Sequence, residues 1–307
     1  MELSIVIPAY NETRYIENLL KSIHNFSIQE NDVVEILVID NGSTDNTSEL
    51  ASNNGAKVHK LDRGSISRAR NTGVEKASYE LIAFIDADII LTQEWFDTVK
   101  LTCHNTLSEF QVLGAKYAIN ENPTWVESSW FEPLSKKPAT YINGGNILVS
   151  KTSFSKIGGF SESLETGEDY EFCHRAKQNG ANIVFNKGLV AIHDGFPKDS
   201  VNFFKREAWH GKGDFTNLKT FLSSKVALIS MAFFSLITAS VVSLLLMAFE
   251  LSVAFAGMSL GLVVLINLMV FRMDKSIGNF LFRIPLCTLY LIARTYSLKK
   301  VLSTRFG

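Results

Sequence analysis

The sequence predicts an α/β domain followed by a membrane-embedded helical segment. Short apolar runs end repeatedly in carboxylates or amides, helical periodicity fills the stretches between them, and two long uncharged runs follow Lys225. The first pattern belongs to strands buried in an open sheet, and the last to helices surrounded by apolar solvent.

Ser4-Ile5-Val6-Ile7 is the first strand-like run. It leads through Pro8-Ala9-Tyr10-Asn11-Glu12 into a helical pattern at Ile16, Leu19, Leu20 and Ile23. Glu35-Ile36-Leu37-Val38-Ile39 is the second, ending in Asp40-Asn41-Gly42-Ser43-Thr44-Asp45. Asn-Gly favours a turn there, and Ser43 or Thr44 is suited to capping the next helix. Arg63-Gly64-Ser65 opens a further helix that carries Arg68, Arg70 and Asn71 and runs to about Ala77. Leu81 to Ile85 is a third buried run, and Asp86-Ala87-Asp88 stands at its end. Strand ends in this order present Tyr10-Asn11-Glu12, Asp40 and Asp86/Asp88 together. Ligands of open α/β sheets bind outside the carboxyl ends of the strands, which makes this a nucleotide site by geometry. Two carboxylates at the mouth of a buried strand are costly to leave unpaired. A divalent cation, Mg²⁺ or Mn²⁺, held by one or two carboxylates and completed by phosphate oxygens, relieves that cost.

Further along, Gly144-Gly145-Asn146 and Gly158-Gly159-Phe160 allow close backbone approach. Gly167-Glu168-Asp169 opens a helical pattern through Phe172 and Ala176, where a carboxylate is also a natural first-turn residue. His193 ends the apolar run Leu189 to Ile192. Residues 118–140, with Trp125, Trp130, Phe131 and three prolines, lack clean periodicity and are expected to form a mobile acceptor loop or lid, or to pack as core.

The ordered set IPAYNE, VIDNGSTDNT, SRARNTGVEKA, IDADI, GGNILVSK and GGFSESLETGEDYEFCHRAKQNG resembles the family 2 glycosyltransferases over roughly residues 3 to 195. The resemblance implies a GT-A fold, a Rossmann-like nucleotide-diphospho-sugar transferase domain, and an inverting mechanism. It implies a nucleotide-sugar pocket lined by Pro8, Tyr10, Glu12, Asp40, Arg70, Asp86 and Gly145, with Asp40 on the base and Glu12 near the ribose. It implies Asp169 as general base with Glu168 as the fallback, a metal at Asp88 and Asp86 with His193 as an extra ligand, and the paired glycines as the acceptor-side wall. The family often has a second acidic residue where this chain has Asn41.

Composition bounds the remaining possibilities. A chain of 307 residues suits one domain plus an appendage, and a net charge of −1 gives no electrostatic case for nucleic acid. Cys103, Cys173 and Cys287 are scattered and odd in number, which fits a reducing compartment. The N-terminus begins inside the first strand, leaving no room for a signal peptide.

Val226 to Phe249 and Leu251 to Phe271 carry no charge, and only Glu250 separates them. Each suits a hydrocarbon core that takes about 20 helical residues, so a transmembrane hairpin is expected with its turn near Glu250. The next segment, about 277–298, contains Arg283 and Pro285. Asn279, Arg283, Tyr290, Arg294 and Ser297 share one helical face, which predicts a helix lying in the interface with Arg283 and Arg294 toward water, although a third crossing has the length it needs. Lys219, Lys225, Arg272, Lys275, Arg294, Lys299, Lys300 and Arg305 then stay on the cytoplasmic side. Just before the spans, Lys205, Arg206, His210 and Lys212 make a basic patch suited to anionic lipid or, as a clamp, to the diphosphate.

The expected organisation is a catalytic domain over 1–222, cytoplasmic, and a membrane domain over 223–307 in a multi-pass cell-membrane protein. Its partners are a nucleoside diphosphate sugar, a lipid-linked or glycolipid acceptor, and membrane lipid. A processive polysaccharide synthase is disfavoured because two spans do not enclose a polymer channel and no Gln-x-x-Arg-Trp motif occurs. A sugar nucleotidylyltransferase needs a glycine-rich loop after the first strand, where this chain has Pro8-Ala9-Tyr10-Asn11. A non-catalytic membrane scaffold would not be expected to keep Asp86, Asp88 and Asp169.

Overall fold

The computed structural model describes every residue except Glu165, Met273, Lys275 and Gly307, with side chains described as far as residue 299. Two of the cytoplasmic-side cations named above, Lys300 and Arg305, therefore have side chains outside the described residues, as does Lys275. The chain forms two compact units, one of residues 1–120 and 138–195, the other of 121–137 and 196–307. This division differs from the 1–222 and 223–307 split drawn from composition. Residues 121–137 and 196–222 lack long apolar runs, yet they fold with the helices that follow.

The first unit contains β1 (Glu2–Ala9), α1 (Ile16–His24), β2 (Val33–Asp40), α2 (Thr47–Asn53), β3 (Lys57–Lys60), α3 (Ile66–Lys76), β4 (Leu81–Ile85), β5 (Ile89–Leu91), α4 (Gln93–Ser108) and β6 (Gln111–Gly114). The chain leaves it to make a π-helix (Glu127–Phe131) and α5 (Glu132–Ser135). It returns with β7 (Asn146–Ser150), α6 (Lys151–Ile157), α7 (Glu168–Gln178), β8 (Asn182–Phe185) and β9 (Ala191–His193). Seven strands pair in the order β3-β2-β1-β4-β7-β6-β8. The β1, β2, β3 and β4 pairings are parallel, whereas β7 runs antiparallel to both β4 and β6. Strands β1 and β4 are buried on both faces, which is why they appear as unbroken apolar runs rather than alternating ones. One core lies on each side of the sheet: Leu3, Ile5, Leu19 and Trp95 on one, Val6, Phe84, Phe154 and Phe172 on the other.

The anticipated helices form, with two local differences. Ser65 caps α3 by accepting from the Arg68 N–H at 3.2 Å. Neither Ser43 nor Thr44 caps α2, which starts at Thr47; the Thr47 N–H donates instead to Asp45 Oδ1 at 3.0 Å.

A buried carboxylate outside the site braces this unit. Glu35 on β2 accepts from Ser4 Oγ (2.8 Å), from the N–H and Oγ of Ser78 (2.8 and 2.7 Å) and from Lys57 Nζ (2.7 Å). Burial raises its pKa, but these donors outweigh burial and bring it down to about 2. A depressed carboxylate pKa contributes stability above the unfolded value, and that contribution is lost as pH falls through about 2. Glu35→Ala should cost about 2–4 kcal/mol, because it strands several buried donors. The check is the thermal midpoint of the solubilised protein, which should fall at pH 7, with the gap to wild type narrowing as pH drops toward about 2.

The second unit is helical: α8 (Ser200–His210), a 3₁₀ turn (Gly211–Phe215), α9 (Leu218–Ser223), α10 (Lys225–Leu245), α11 (Phe249–Phe271) and α12 (Ile277–Phe306). Three of these, Lys225–Leu245, Phe249–Phe271 and Ile277–Lys299, are long and apolar enough to cross a membrane. The first two pair as a hairpin whose turn is Leu246–Ala248, and Glu250 falls in the first turn of α11, where the helix dipole favours a carboxylate. Large apolar side chains such as Phe234, Val241, Leu260 and Leu265 point outward. Ser240 and Ser252 exchange hydrogen bonds across the hairpin, each hydroxyl reaching the other's carbonyl at 2.9 Å.

One expectation is corrected here. Arg283 and Arg294 do not face water. Arg283 is 1% exposed; its Nε donates to the Ser129 carbonyl at 2.9 Å, it pairs with Asp274, and it lies over the Phe271 ring. Arg294 pairs with Glu207 at 2.8 Å and with Asp214 at 3.3 Å. The polar face of α12 is a protein-facing one because acidic and carbonyl partners come from other parts of the same unit. Of the two alternatives for residues 118–140, the aromatics of 121–137 follow the packed one at Trp130 and Phe131, which are buried, with Trp130 on Phe203, Phe271 and Tyr290, while Trp125 is exposed. In the basic patch, Arg206 is tied to Glu207 at 2.6 Å and covers the Phe131 ring.

Candidate active site

The site residues gather at the carboxyl ends of β1, β2 and β4, all within the first unit. The β1 end is stitched to the β2 end. Asn11 takes a left-handed conformation (φ 56°), which asparagine tolerates better than most residues. Its N–H donates to Ser43 Oγ at 2.9 Å, its Oδ1 accepts from the Thr44 N–H at 2.8 Å, and the Glu12 N–H donates to Thr47 Oγ1 at 2.8 Å. Pro8 is buried in β1, whereas Tyr10 is exposed and carries the Arg63 guanidinium 3.4 Å over its ring. Asp40 is buried and accepts from the Ser43 N–H at 2.8 Å and from Ser48 Oγ. Burial acts to raise its pKa, and these bonds hold it below the ordinary value. Asn41 explains its own departure from the acidic pattern. It donates to the Gly64 carbonyl at 2.8 Å and accepts from the Gly64 N–H at 2.9 Å, and an ionised carboxylate cannot make the first of these bonds.

Arg70 is the hub. It projects from α3, is 2% exposed, and bridges Asp86 Oδ1 at 2.8 Å to Glu168 Oε1 at 2.7 Å. Burial disfavours its charge, but the two carboxylates outweigh burial and push its pKa up. Three glycines press backbone against these groups. A Cβ on Gly145 would sit 2.2 Å from the Asp86 carboxylate, one on Gly144 2.7 Å from Arg70 Nη2, and one on Gly195 1.8 Å from Asp88 Oδ2. Gly158 and Gly159 serve elsewhere: both have positive φ, they close α6, and Phe160 goes into the core. Replacing Arg70 with methionine should lower stability by about 3–5 kcal/mol, because two partly buried carboxylates lose their shared cation. A thermal midpoint matching wild type would show that the pair is solvated and the bridge unimportant.

Asp88 lies beside His193. The antiparallel β5–β9 ladder sets His193 opposite Ile89, which leaves His193 Nε2 3.7 Å from Asp88 Oδ2. The pKa of Asp88 is raised, first by burial, with His193 opposing and Asp86 and Asp194 adding to it. Glu12 is pushed up to about 8 by burial and by the charges of Asp88, Asp86 and Asp45. Negative charge has therefore accumulated here beyond what its surroundings neutralise, and a divalent cation fits that balance. Among the described residues no group of three or more His, Cys, Asp or Glu is arranged to hold a metal unaided. Asp88, Asp86 and His193, expected together as its ligands, are thus not gathered into one such group.

On the other side of the Gly144-Gly145 turn, Asp169 Oδ2 accepts from the Gly144 N–H at 3.2 Å and Oδ1 from the Tyr170 N–H at 2.8 Å. Burial, then the neighbouring Glu168, raises the Asp169 pKa. Sequence reasoning missed Tyr117 and Gly195. The hydroxyl of Tyr117 donates to Asp86 Oδ2 at 3.1 Å and accepts from the Gly145 N–H at 3.1 Å. No local pattern marks it, because its partners lie 31 and 28 residues away.

Residues 4–145 match Glycosyl transferase family 2, and residues 131–195 match the family described as the N-terminal domain of galactosyltransferase. Residues 4–145 are a glycosyl transferase family 2 domain. This glycosyltransferase is 27% identical to glycosyltransferase AglE of Haloferax volcanii, over 69% of this chain and 72% of AglE. It is 26% identical to chondroitin synthase of Pasteurella multocida over 67% of this chain, but that match takes in only 26% of the synthase. The mannosyltransferase PcManGT from Pyrobaculum calidifontis, solved in complex with GDP-Man and Mn²⁺, shares its GT-A fold. The TM-score is 0.57 at 16% identity, covering 96% of this chain and 86% of that one.

Proposed function

We propose that this glycosyltransferase moves a sugar from a nucleoside diphosphate donor to a lipid-linked or glycolipid acceptor with inversion at the anomeric carbon. The supporting observation is that Asp86 and Asp169 both lie against the Gly144-Gly145 turn, with Arg70 joining Asp86 to Glu168, the residue before Asp169. Asp169 takes the proton from the acceptor hydroxyl as that oxygen attacks the anomeric carbon and the bond to the diphosphate breaks. A single displacement of this kind inverts configuration. Glu168 is the weaker candidate for the base, because it is bound to Arg70. A divalent cation, Mg²⁺ or Mn²⁺, would be held by Asp88 with His193 beside it, and would neutralise charge on the departing diphosphate. Asp86 is bonded through both oxygens to Arg70 and Tyr117, which makes Asp88 the carboxylate open to direct ligation. Tyr10, Glu12, Asp40 and Arg70 would line the nucleotide side. PcManGT, crystallised with GDP-Man and Mn²⁺, is compatible with both donor class and metal.

Membrane attachment through residues 223–307 is supported by the three helices long and apolar enough to cross a bilayer, and a cytoplasmic catalytic domain by the Lys and Arg residues that flank them. Such attachment favours an acceptor that is itself in the membrane. The test is a screen of nucleotide sugars with purified protein, Mg²⁺ or Mn²⁺, and a membrane lipid extract. Nucleoside diphosphate release and the anomeric configuration of the glycolipid product are read out. One donor should be consumed with inversion; a product of retained configuration, or turnover only with water-soluble acceptors, would overturn this reading.

A further inference from the structure

Tyr117 holds a place in the site that neither its sequence context nor the family match assigns. It lies just beyond β6, and the neighbouring backbone is zipped to β9: the Ala118 N–H donates to the Ala191 carbonyl at 2.8 Å, and the His193 N–H donates to the Ala118 carbonyl at 3.1 Å. Strand β9 in turn pairs with β5, which follows Asp88 directly. Tyr117 is thus fixed on a rigid element rather than on a free loop. Its ring meets His193 edge-on at 4.8 Å. Its hydroxyl uses both hydrogen-bonding functions inside the site, donating to Asp86 Oδ2 and accepting from the Gly145 N–H.

These bonds close a ring. Arg70 binds Asp86 and Glu168; Asp86 binds Tyr117; Tyr117 binds Gly145; the adjoining Gly144 N–H binds Asp169, which follows Glu168 in the chain. We propose that Tyr117 is a positioning residue that ties the carboxylate on the leaving-group side, Asp86, to the Gly144-Gly145 turn that carries Asp169, so that the two halves of the reaction keep one spacing. The proposal rests on the glycosyl-transfer reading above. Its reasoning is geometric: one Asp86 oxygen is bonded to Arg70, and the tyrosine supplies the second bond, to the other oxygen. Two bonds from different directions fix a carboxylate plane where one leaves it free to rotate.

Tyr117→Phe keeps the ring and its contact with His193 and removes only the hydroxyl. Turnover should fall roughly 10–100-fold, the range typical when a group that orients a metal-site carboxylate is lost. Mn²⁺ binding, followed by electron paramagnetic resonance with saturating UDP or GDP, should weaken in parallel, while the thermal midpoint stays at the wild-type value. In a double-mutant cycle, Tyr117→Phe should cost much less on an Asp86→Asn background than on the wild type, since its effect runs through that carboxylate. Unchanged turnover and Mn²⁺ binding in an active protein would overturn the positioning role and leave the glycosyl-transfer reading intact. Full additivity with Asp86→Asn, or a turnover loss matched by a lowered thermal midpoint, would also overturn it and make Tyr117 a packing residue. A wild type that binds Mn²⁺ with neither nucleotide and turns over no donor would remove the underlying reading, and the proposal with it.

Discussion

Asp88→Asn should lower turnover at least about a hundredfold, on the scale of one lost electrostatic contact to the transition state. The amide keeps the shape of the side chain that lies against Gly195, so folding should be preserved. It removes the charge that makes this corner of the site attractive to a cation. Chelation of wild-type enzyme should reproduce the loss, and added Mg²⁺ or Mn²⁺ should reverse it. The variant should need far more metal for half-maximal rate, because only Asp86 of the Asp86/Asp88 pair keeps its carboxylate. Activity in Asp88→Asn close to wild type, with an unshifted metal requirement, would remove the metal assignment and leave Asp88 as a structural acid.

Asp169→Asn should separate chemistry from binding. The amide accepts no proton, so turnover should fall by about 10²–10⁴ while donor affinity and thermal midpoint hold. Asp169 takes its two backbone N–H groups on separate oxygens; the single amide oxygen can still accept one of them, so the fold should survive with the loss of one hydrogen bond. In the wild type the sign of the pH dependence follows from the base having to be ionised. Burial and Glu168 raise the Asp169 pKa, so activity should decline on acidification at a higher pH than an ordinary aspartate would give. That acidic limb should be missing from the residual activity of Asp169→Asn. A variant that loses donor affinity as fully as turnover would make Asp169 a nucleotide ligand or a helix-opening residue instead.

The parts of this protein legible in its sequence are those whose cause is local. β1, β2 and β4 read as apolar runs, interrupted in β2 by Glu35, because neighbouring elements cover both faces, and the chain must turn where Tyr10, Asn41-Gly42 and Asp86 follow them. The same holds for the hairpin of α10 and α11: 21 and 23 residues with almost no charge announce themselves, and only the turn moved, to Leu246–Ala248. Carboxylates at strand ends are legible too, since the sheet delivers them to one edge whatever surrounds them.

Partners are another matter. Nothing in the residues around Arg70 says that it will join Asp86, 16 residues on, to Glu168, 98 residues on. Tyr117 enters the site only because β6 pairs with an antiparallel β7 and the backbone beyond it pairs with β9. Arg283 follows the same logic in the opposite direction. Its spacing marks a polar helical face correctly, and the direction of that face was decided by Ser129, Asp274 and Phe271. Periodicity reports which side of an element differs from the other, because it depends on neighbours three or four residues apart. Which group a polar side chain meets depends on atoms brought together from distant parts of the chain, and only the tertiary structure decides that.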